Sequence, residues 1–169
     1  MRYATGFVKE HLDSNLIVAE IGVLNGRNAK EMLDNLDIKR LYLVDPYQEY
    51  VVEDGTVIPQ SSLNGHRKKM EVLLQGNVKV EIIIAPSIDA AVKLQDVQFD
   101  FVYIDGNHSH PFVDCDIAAW YPLVKSGGVI AGHDFNMDDV HEAVTQFAQH
   151  EGLDIICGQF DWVIWKGQL

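Results

Sequence analysis

Five apolar runs of strand length, spaced by segments of helix length, constrain this chain more than any other feature. They are Leu16–Ile21, Arg40–Val44, Val78–Ala85, Phe99–Ile104 and Gly128–Ala131. The spacing predicts helices over Met1–Leu12, Arg27–Leu36, Ser61–Gln75, Ile88–Leu94, Phe112–Tyr121 and Met137–Glu151. Such alternation builds βαβ units and therefore a mostly parallel sheet. The middle runs are apolar at consecutive positions, as expected of strands covered by helices on both faces. Beyond the last helix, Leu153–Gly158 and Asp161–Gly167 are short β-rich runs separated by Gln159 and Phe160, which reads as an antiparallel pair. The expected fold is a doubly wound α/β domain whose sheet ends in an antiparallel C-terminal strand pair.

The 169 residues suit one domain, spanning 1–169, and a chain of this length buries roughly 70% of its unfolded surface. A net charge of -12 argues against nucleic acid and anionic membranes as partners. The local cluster His66-Arg67-Lys68-Lys69 falls in a helical stretch and reads as a solvated face. Cys115 and Cys157 have no short spacing that would suggest a zinc site or a disulfide framework, so a reduced, cytoplasmic setting is expected. The first residues lack an apolar signal core, and no run reaches the roughly 18 apolar residues of a membrane span.

The first strand leads into Glu20-Ile21-Gly22-Val23-Leu24-Asn25-Gly26 and then directly into a helix. Glycine at 22 and 26 permits a sharp turn and close approach of a ligand to the backbone. A ligand-free glycine turn would look the same. Leu24 breaks the G-x-G-x-x-G dinucleotide fingerprint, which weakens a reading as an NAD-binding oxidoreductase domain. Glu20 favours a ligand with a cationic group. Asp45, about twenty residues past the glycines, stands where such folds hold ribose hydroxyls, although Asp before Pro46 is also a turn former. Ser87 can cap the following helix, present its turn to an adenine edge, or both. The segment from Pro46 to Gln60 is long for a connection in such a fold and reads as a lid or substrate loop.

Taken in order, the glycine turn, Asp45, Tyr103-Ile104-Asp105-Gly106-Asn107-His108 and Gly127-Gly128-Val129-Ile130-Ala131-Gly132-His133-Asp134-Phe135 resemble the class I, Rossmann-like methyltransferases that use S-adenosylmethionine (SAM). Within that superfamily the closest likeness is to small-molecule O-methyltransferases of the catechol and macrocin types. The resemblance covers about residues 15 to 167. It implies that Glu20, Gly22, Asn25 and Gly26 surround the methionine part of SAM, that Asp45 holds the ribose, and that Ser87 lies beside the adenine. Asp105 would border both cofactor and acceptor.

Asp105 ends the fourth strand, and His133 and Asp134 end the fifth, so three polar side chains are expected at one sheet edge. Two carboxylates there suit a hard cation such as Mg²⁺, and the resemblance implies Asp105, His133 and Asp134 as its ligands. Imidazole is a poor Mg²⁺ ligand, so His133 is equally read as a base or as a partner of the ligands; the carboxylates could also merely cap turns. His108 is the preferred general base, with a structural hydrogen bond as its alternative, and His110 reads as a loop residue. The expected activity is methyl transfer to a hydroxyl of a small-molecule acceptor. A non-catalytic SAM-binding module is the alternative, because so short a chain has little material for an acceptor-binding cap and could need a homo-oligomer to complete one.

Overall fold

The computed structural model describes residues 1–51 and 55–167. Helix α1 (Tyr3–His11) precedes strand β1 (Leu16–Ile21), followed by α2 (Arg27–Asn35), β2 (Ile38–Val44), the short β3 (Tyr50–Val51) and β4 (Val57–Ile58), and α3 (Gln60–Leu73). Then come β5 (Val80–Ile83), α4 (Ser87–Lys93), β6 (Phe99–Ile104), α5 (Phe112–Trp120) with a 3-10 turn, β7 (Val124–Gly132), α6 (Asp138–Glu151), β8 (Ile156–Gly158) and β9 (Asp161–Trp165).

Seven strands form one sheet in the order β5-β2-β1-β6-β7-β9-β8. The first five run parallel, and β9 inserts antiparallel between β7 and β8. Alternate residues of β6 serve opposite faces. Phe101 and Tyr103 pack with α1, α2 and α3, whereas Val102 and Ile104 pack with α4, α5 and α6. This two-sided burial explains why β6 is apolar at almost every position and is buried throughout. The fold is thus the doubly wound, Rossmann-like α/β architecture with a terminal antiparallel pair.

Several expected bounds shift. The strand expected over Val78–Ala85 shortens to Val80–Ile83, because Asn77 turns the chain, accepting the Lys79 N–H on its side chain at 3.0 Å and the Val80 N–H on its carbonyl. Strand β7 is longer than Gly128–Ala131, since its first half extends as an exposed ribbon before entering the core. The Pro46–Gln60 segment contains the two-residue strands β3 and β4, paired antiparallel, while residues 52–54 of it lie outside the described residues. Among the described residues no helix is long and apolar enough to cross a membrane.

The strand order reverses between β1 and β6, from which successive connections leave toward opposite edges. Ligands of open parallel sheets bind in the crevice beyond the carboxyl ends of such a strand pair. Here that crevice is bounded by Gly22, which follows β1, and Asp105, which follows β6.

Candidate active site at the carboxyl edge of the sheet

Gly22 sits at φ +84, and a Cβ there would come within 2.1 Å of the Asp105 carbonyl oxygen. Only glycine lets these two strand ends approach so closely. The Gly22 N–H donates to the Val44 carbonyl at 2.9 Å, and the Asp105 N–H donates to the Ile21 carbonyl at 2.7 Å, so the turn is hung from both neighbouring strands. Gly26, at φ +77, begins α2 and lies against Met70 of α3. The side chain of Asn25 accepts the Arg27 N–H at 3.2 Å across the turn that leads into the helix.

Glu20 is almost fully buried beneath this turn. Its Oε1 accepts a hydrogen bond from the Asn28 side chain at 3.0 Å, while its Oε2 and the Asn28 Oδ1 have no partner. Burial pushes the Glu20 carboxyl up to about 8 despite the Asn28 bond. A buried acid with an unmatched oxygen costs stability unless a ligand answers it, which points to a polar group bound above the turn.

Asp45 reaches across from the end of β2. Its Oδ2 accepts the N–H groups of Val23 and Leu24, each at 3.0 Å, and its Oδ1 accepts the Tyr47 N–H at 2.8 Å. Tyr47 closes the arrangement by donating its hydroxyl to the Leu24 carbonyl at 2.8 Å. Leu24 and Tyr47 both adopt positive φ, at 51° and 47°, in the left-handed region that favours glycine. The carboxylate therefore latches the glycine turn and keeps about one lone-pair direction, on Oδ1, for a ligand hydroxyl.

Ser87 opens α4, where its hydroxyl accepts the Trp120 indole N–H at 2.8 Å and bonds to Asp116. Burial pushes the Asp116 carboxyl up to about 6, with the Ser87 bond opposing. Both Asp116 and Trp120 belong to α5, so Ser87 ties the α4 turn to the helix that follows β6.

At the other side of the crevice, Asp105, His108 and Asp134 bring one ligand atom each within 4.8 Å of one another. His108 Nε2 lies 2.8 Å from Asp134 Oδ2 and 3.8 Å from Asp105 Oδ1. The closer contact pairs the imidazole with Asp134. Flanked by Asp105 and Asp134, His108 is pushed up to about 9, and His108 first, then His133, holds Asp134 down at about 2. Asp134 is at φ +57, a conformation that non-glycine residues adopt rarely and that clusters at functional turns.

The expected trio Asp105, His133 and Asp134 is thus rearranged. His133 stands outside the cluster with its Nδ1 2.9 Å from Asp134 Oδ1, and His108 takes the third place. The base expected at 108 is held in its protonated form by the two carboxylates near neutral pH. Glu20, Gly22, Asn25, Gly26 and Asp45 gather around one turn, whereas the Ser87 hydroxyl is committed to α5. His110 pairs with Asp114 on an exposed surface, apart from the cluster.

Two contributors carry no sequence motif. Asn28 answers Glu20 from the buried face of α2, and only its position as a polar residue on that face could have drawn notice. Arg2 donates to the Tyr103 hydroxyl and lies 3.1 Å from Asp105 Oδ2. Nothing in the sequence marks Arg2, since its partners are about a hundred residues away.

Residues 19–135 match the model of a family described as a methyltransferase domain. No curated protein matches the sequence. Among solved structures, the chain is similar to a protein from Corynebacterium glutamicum at TM-score 0.73 and 14% identity, covering 100% of this chain and 82% of that one. It is also similar to the O-methyltransferase from Bacillus cereus in complex with SAH, at TM-score 0.65 and 16% identity over 97% and 79% of the two chains. A third likeness is to MycE methyltransferase from the mycinamycin biosynthetic pathway, in complex with Mg, SAH and mycinamycin VI. There the TM-score is 0.65 and the identity 14%, over 98% of this chain and 48% of that one. At these identities the likeness is one of fold.

Proposed function

Because the family model spans well over half its length, this chain belongs to the methyltransferase-domain family and is a SAM-dependent methyltransferase, and we propose that it methylates a hydroxyl of a small molecule with help from a divalent cation. The reading takes residues 1–169 as a single catalytic domain. One observation carries it: beside the glycine turn, Asp105, His108 and Asp134 bring one ligand atom each within 4.8 Å of one another.

When SAM is bound, its sulfonium supplies the methyl group by direct displacement, the acceptor oxygen forming the C–O bond as the C–S bond breaks to leave S-adenosylhomocysteine (SAH). The chain's own task is alignment and proton removal. Glu20, Gly22 and Asp105 form the surroundings of the methionine end. Asp45 offers its remaining acceptor direction to the ribose, and the α4 turn held by Ser87 borders the adenine.

A cation such as Mg²⁺ or Mn²⁺ held by Asp105, His108 and Asp134 would supply positive charge that makes the acceptor hydroxyl more acidic. The donor set fits such an ion, because two carboxylates and an imidazole converge on one point, where a cation would offset the like charges of Asp105 and Asp134. His108 must give up its proton to serve as a ligand. His133, which holds the other oxygen of Asp134, is then the neighbouring imidazole to accept the acceptor's proton.

Calorimetry with SAH and NAD, followed by mass spectrometry of catechols and sugars incubated with SAM and enzyme, tests the reading. Saturable heat with SAH and a methylated hydroxyl product are expected. Heat with NAD alone would overturn it.

A further inference from the structure

The start of α1 is pinned on two sides. The Arg2 N–H donates to Glu31 Oε1 of α2 at 2.7 Å, and the Ala4 N–H donates to buried Asp161 Oδ2 of β9 at 2.9 Å. Between them the ring of Tyr3 packs so closely on Gly158 that a Cβ at 158 would fall 2.3 Å from it. These contacts fix the backbone from which the Arg2 side chain extends over the carboxyl edge of the sheet.

The guanidinium lies 5.3 Å above the Tyr103 ring, donates to the Tyr103 hydroxyl, and stands 3.1 Å from Asp105 Oδ2. Tyr103 is in turn held by its hydroxyl, which donates to Asp161 Oδ1 at 2.9 Å. The arginine is therefore positioned through most of its length, yet its side chain remains 29% exposed at the crevice. Tyr103 lies beside Glu20 in the β1–β6 register, so the Arg2–Asp105 ion pair lies over the buried acid whose Oε2 has no partner.

An internal ion pair at the mouth of a ligand crevice matches a zwitterion. The amino-acid end of SAM carries an ammonium and a carboxylate on one carbon, and each can replace one member of the pair. We propose that Arg2 binds the α-carboxylate of the cofactor's methionine end while Asp105, released from Arg2, receives the α-ammonium. The exchange keeps every charge compensated. A guanidinium suits the task, because its planar fork offers two parallel N–H donors to a carboxylate while its other edge stays on Tyr103.

This inference rests on the SAM reading above, and the test separates the two. Titrate wild type, Arg2→Gln and Arg2→Lys with SAH and with 5′-methylthioadenosine, which keeps the nucleoside and sulfur but lacks the amino-acid end. Arg2→Gln should lose roughly tenfold to a hundredfold in SAH affinity, the usual worth of a charge-assisted bond, while its affinity for 5′-methylthioadenosine stays within about twofold of wild type. Arg2→Lys should fall between. Retained binding of 5′-methylthioadenosine also reports an intact adenosine site, which guards against a merely misfolded variant. Equal losses for both ligands, or no loss for either, would overturn the role of Arg2 alone. Failure of wild type to bind SAH at all would overturn the SAM reading, and this inference with it.

Discussion

Asp45 Oδ2 takes the N–H of Val23 at 3.0 Å, so the end of β2 holds the turn that follows β1. With the Leu24 and Tyr47 N–H groups on the same carboxylate, Asp45 is both a loop latch and a candidate ribose ligand. Asp45→Ala should lower SAH affinity by about 1.5–3 kcal/mol, tenfold or more. It should also lower the unfolding free energy by about 1–3 kcal/mol, because three N–H groups lose their acceptor. Calorimetry and urea unfolding check the two effects. A folded variant that binds SAH like wild type would reduce Asp45 to a turn residue.

Methylation should stop in chelator and return with Mg²⁺ or Mn²⁺, and Asp134→Asn should abolish the response while SAH affinity changes little. A histidine in the ligand set favours Mn²⁺ over Mg²⁺ in affinity. Since His108 must lose a proton first, Mn²⁺ binding should weaken as pH falls below about 9, approaching tenfold per pH unit. Titrations by calorimetry from pH 6 to 9 measure this. Full turnover by metal-free enzyme in chelator would rule out the cation.

Glu20 gives the fold a pH dependence of definite sign. Its carboxyl titrates near 4.5 when unfolded and is raised to about 8 by burial, so between those values the folded chain holds a proton that the unfolded chain has lost. Stability contributed by the neutral acid is complete below about pH 4.5 and is lost as pH rises through 8. His108, raised from 6.5 to about 9, loses stability in the same direction over its own window. Glu20→Gln should make the decline between about pH 4.5 and 8 shallower, leaving the Asp116 part below about pH 6 and the His108 part above 6.5, as read by thermal unfolding across pH. An unchanged profile would mean that Glu20 is ionised in the folded chain.

Ser87→Ala should cost about 1–3 kcal/mol of stability, since the Trp120 indole N–H loses its acceptor and buried Asp116 loses a bond. If the hydroxyl serves α5 and not the adenine, SAH affinity should fall less than threefold, about 0.6 kcal/mol. A tenfold loss of affinity in a folded variant would give the hydroxyl a direct ligand contact.

Strands β1 and β6 were legible in the sequence to the residue, because burial on both faces leaves no room for a polar side chain at most positions. The short β3 and β4 were not, as two residues on each side show no periodicity. The glycine turn could be read because positive φ and the close approach of Asp105 demand glycine. The choice between His108 and His133 could not. Both follow strand ends, and only the path of the chain after Gly106 and the left-handed turn at Asp134 decide which imidazole meets both carboxylates. Arg2 was invisible for a related reason: its partners Tyr103 and Asp105 are joined to it by tertiary structure alone.

The bond from the Ala4 N–H to Asp161 also bears on how the chain is made in the cell. Its two ends are 157 residues apart, so the first helix emerges from the ribosome long before its acceptor exists. Helix α1 can shelter Phe7 and Val8 on the sheet early, but Arg2 and Tyr103 gain their shared anchor only after β9 has been synthesised and slid between β7 and β8. Nascent chains that have not yet exposed residue 161 should therefore hold the Arg2–Ala4 segment only through Glu31, leaving it more open to protease than in the finished fold.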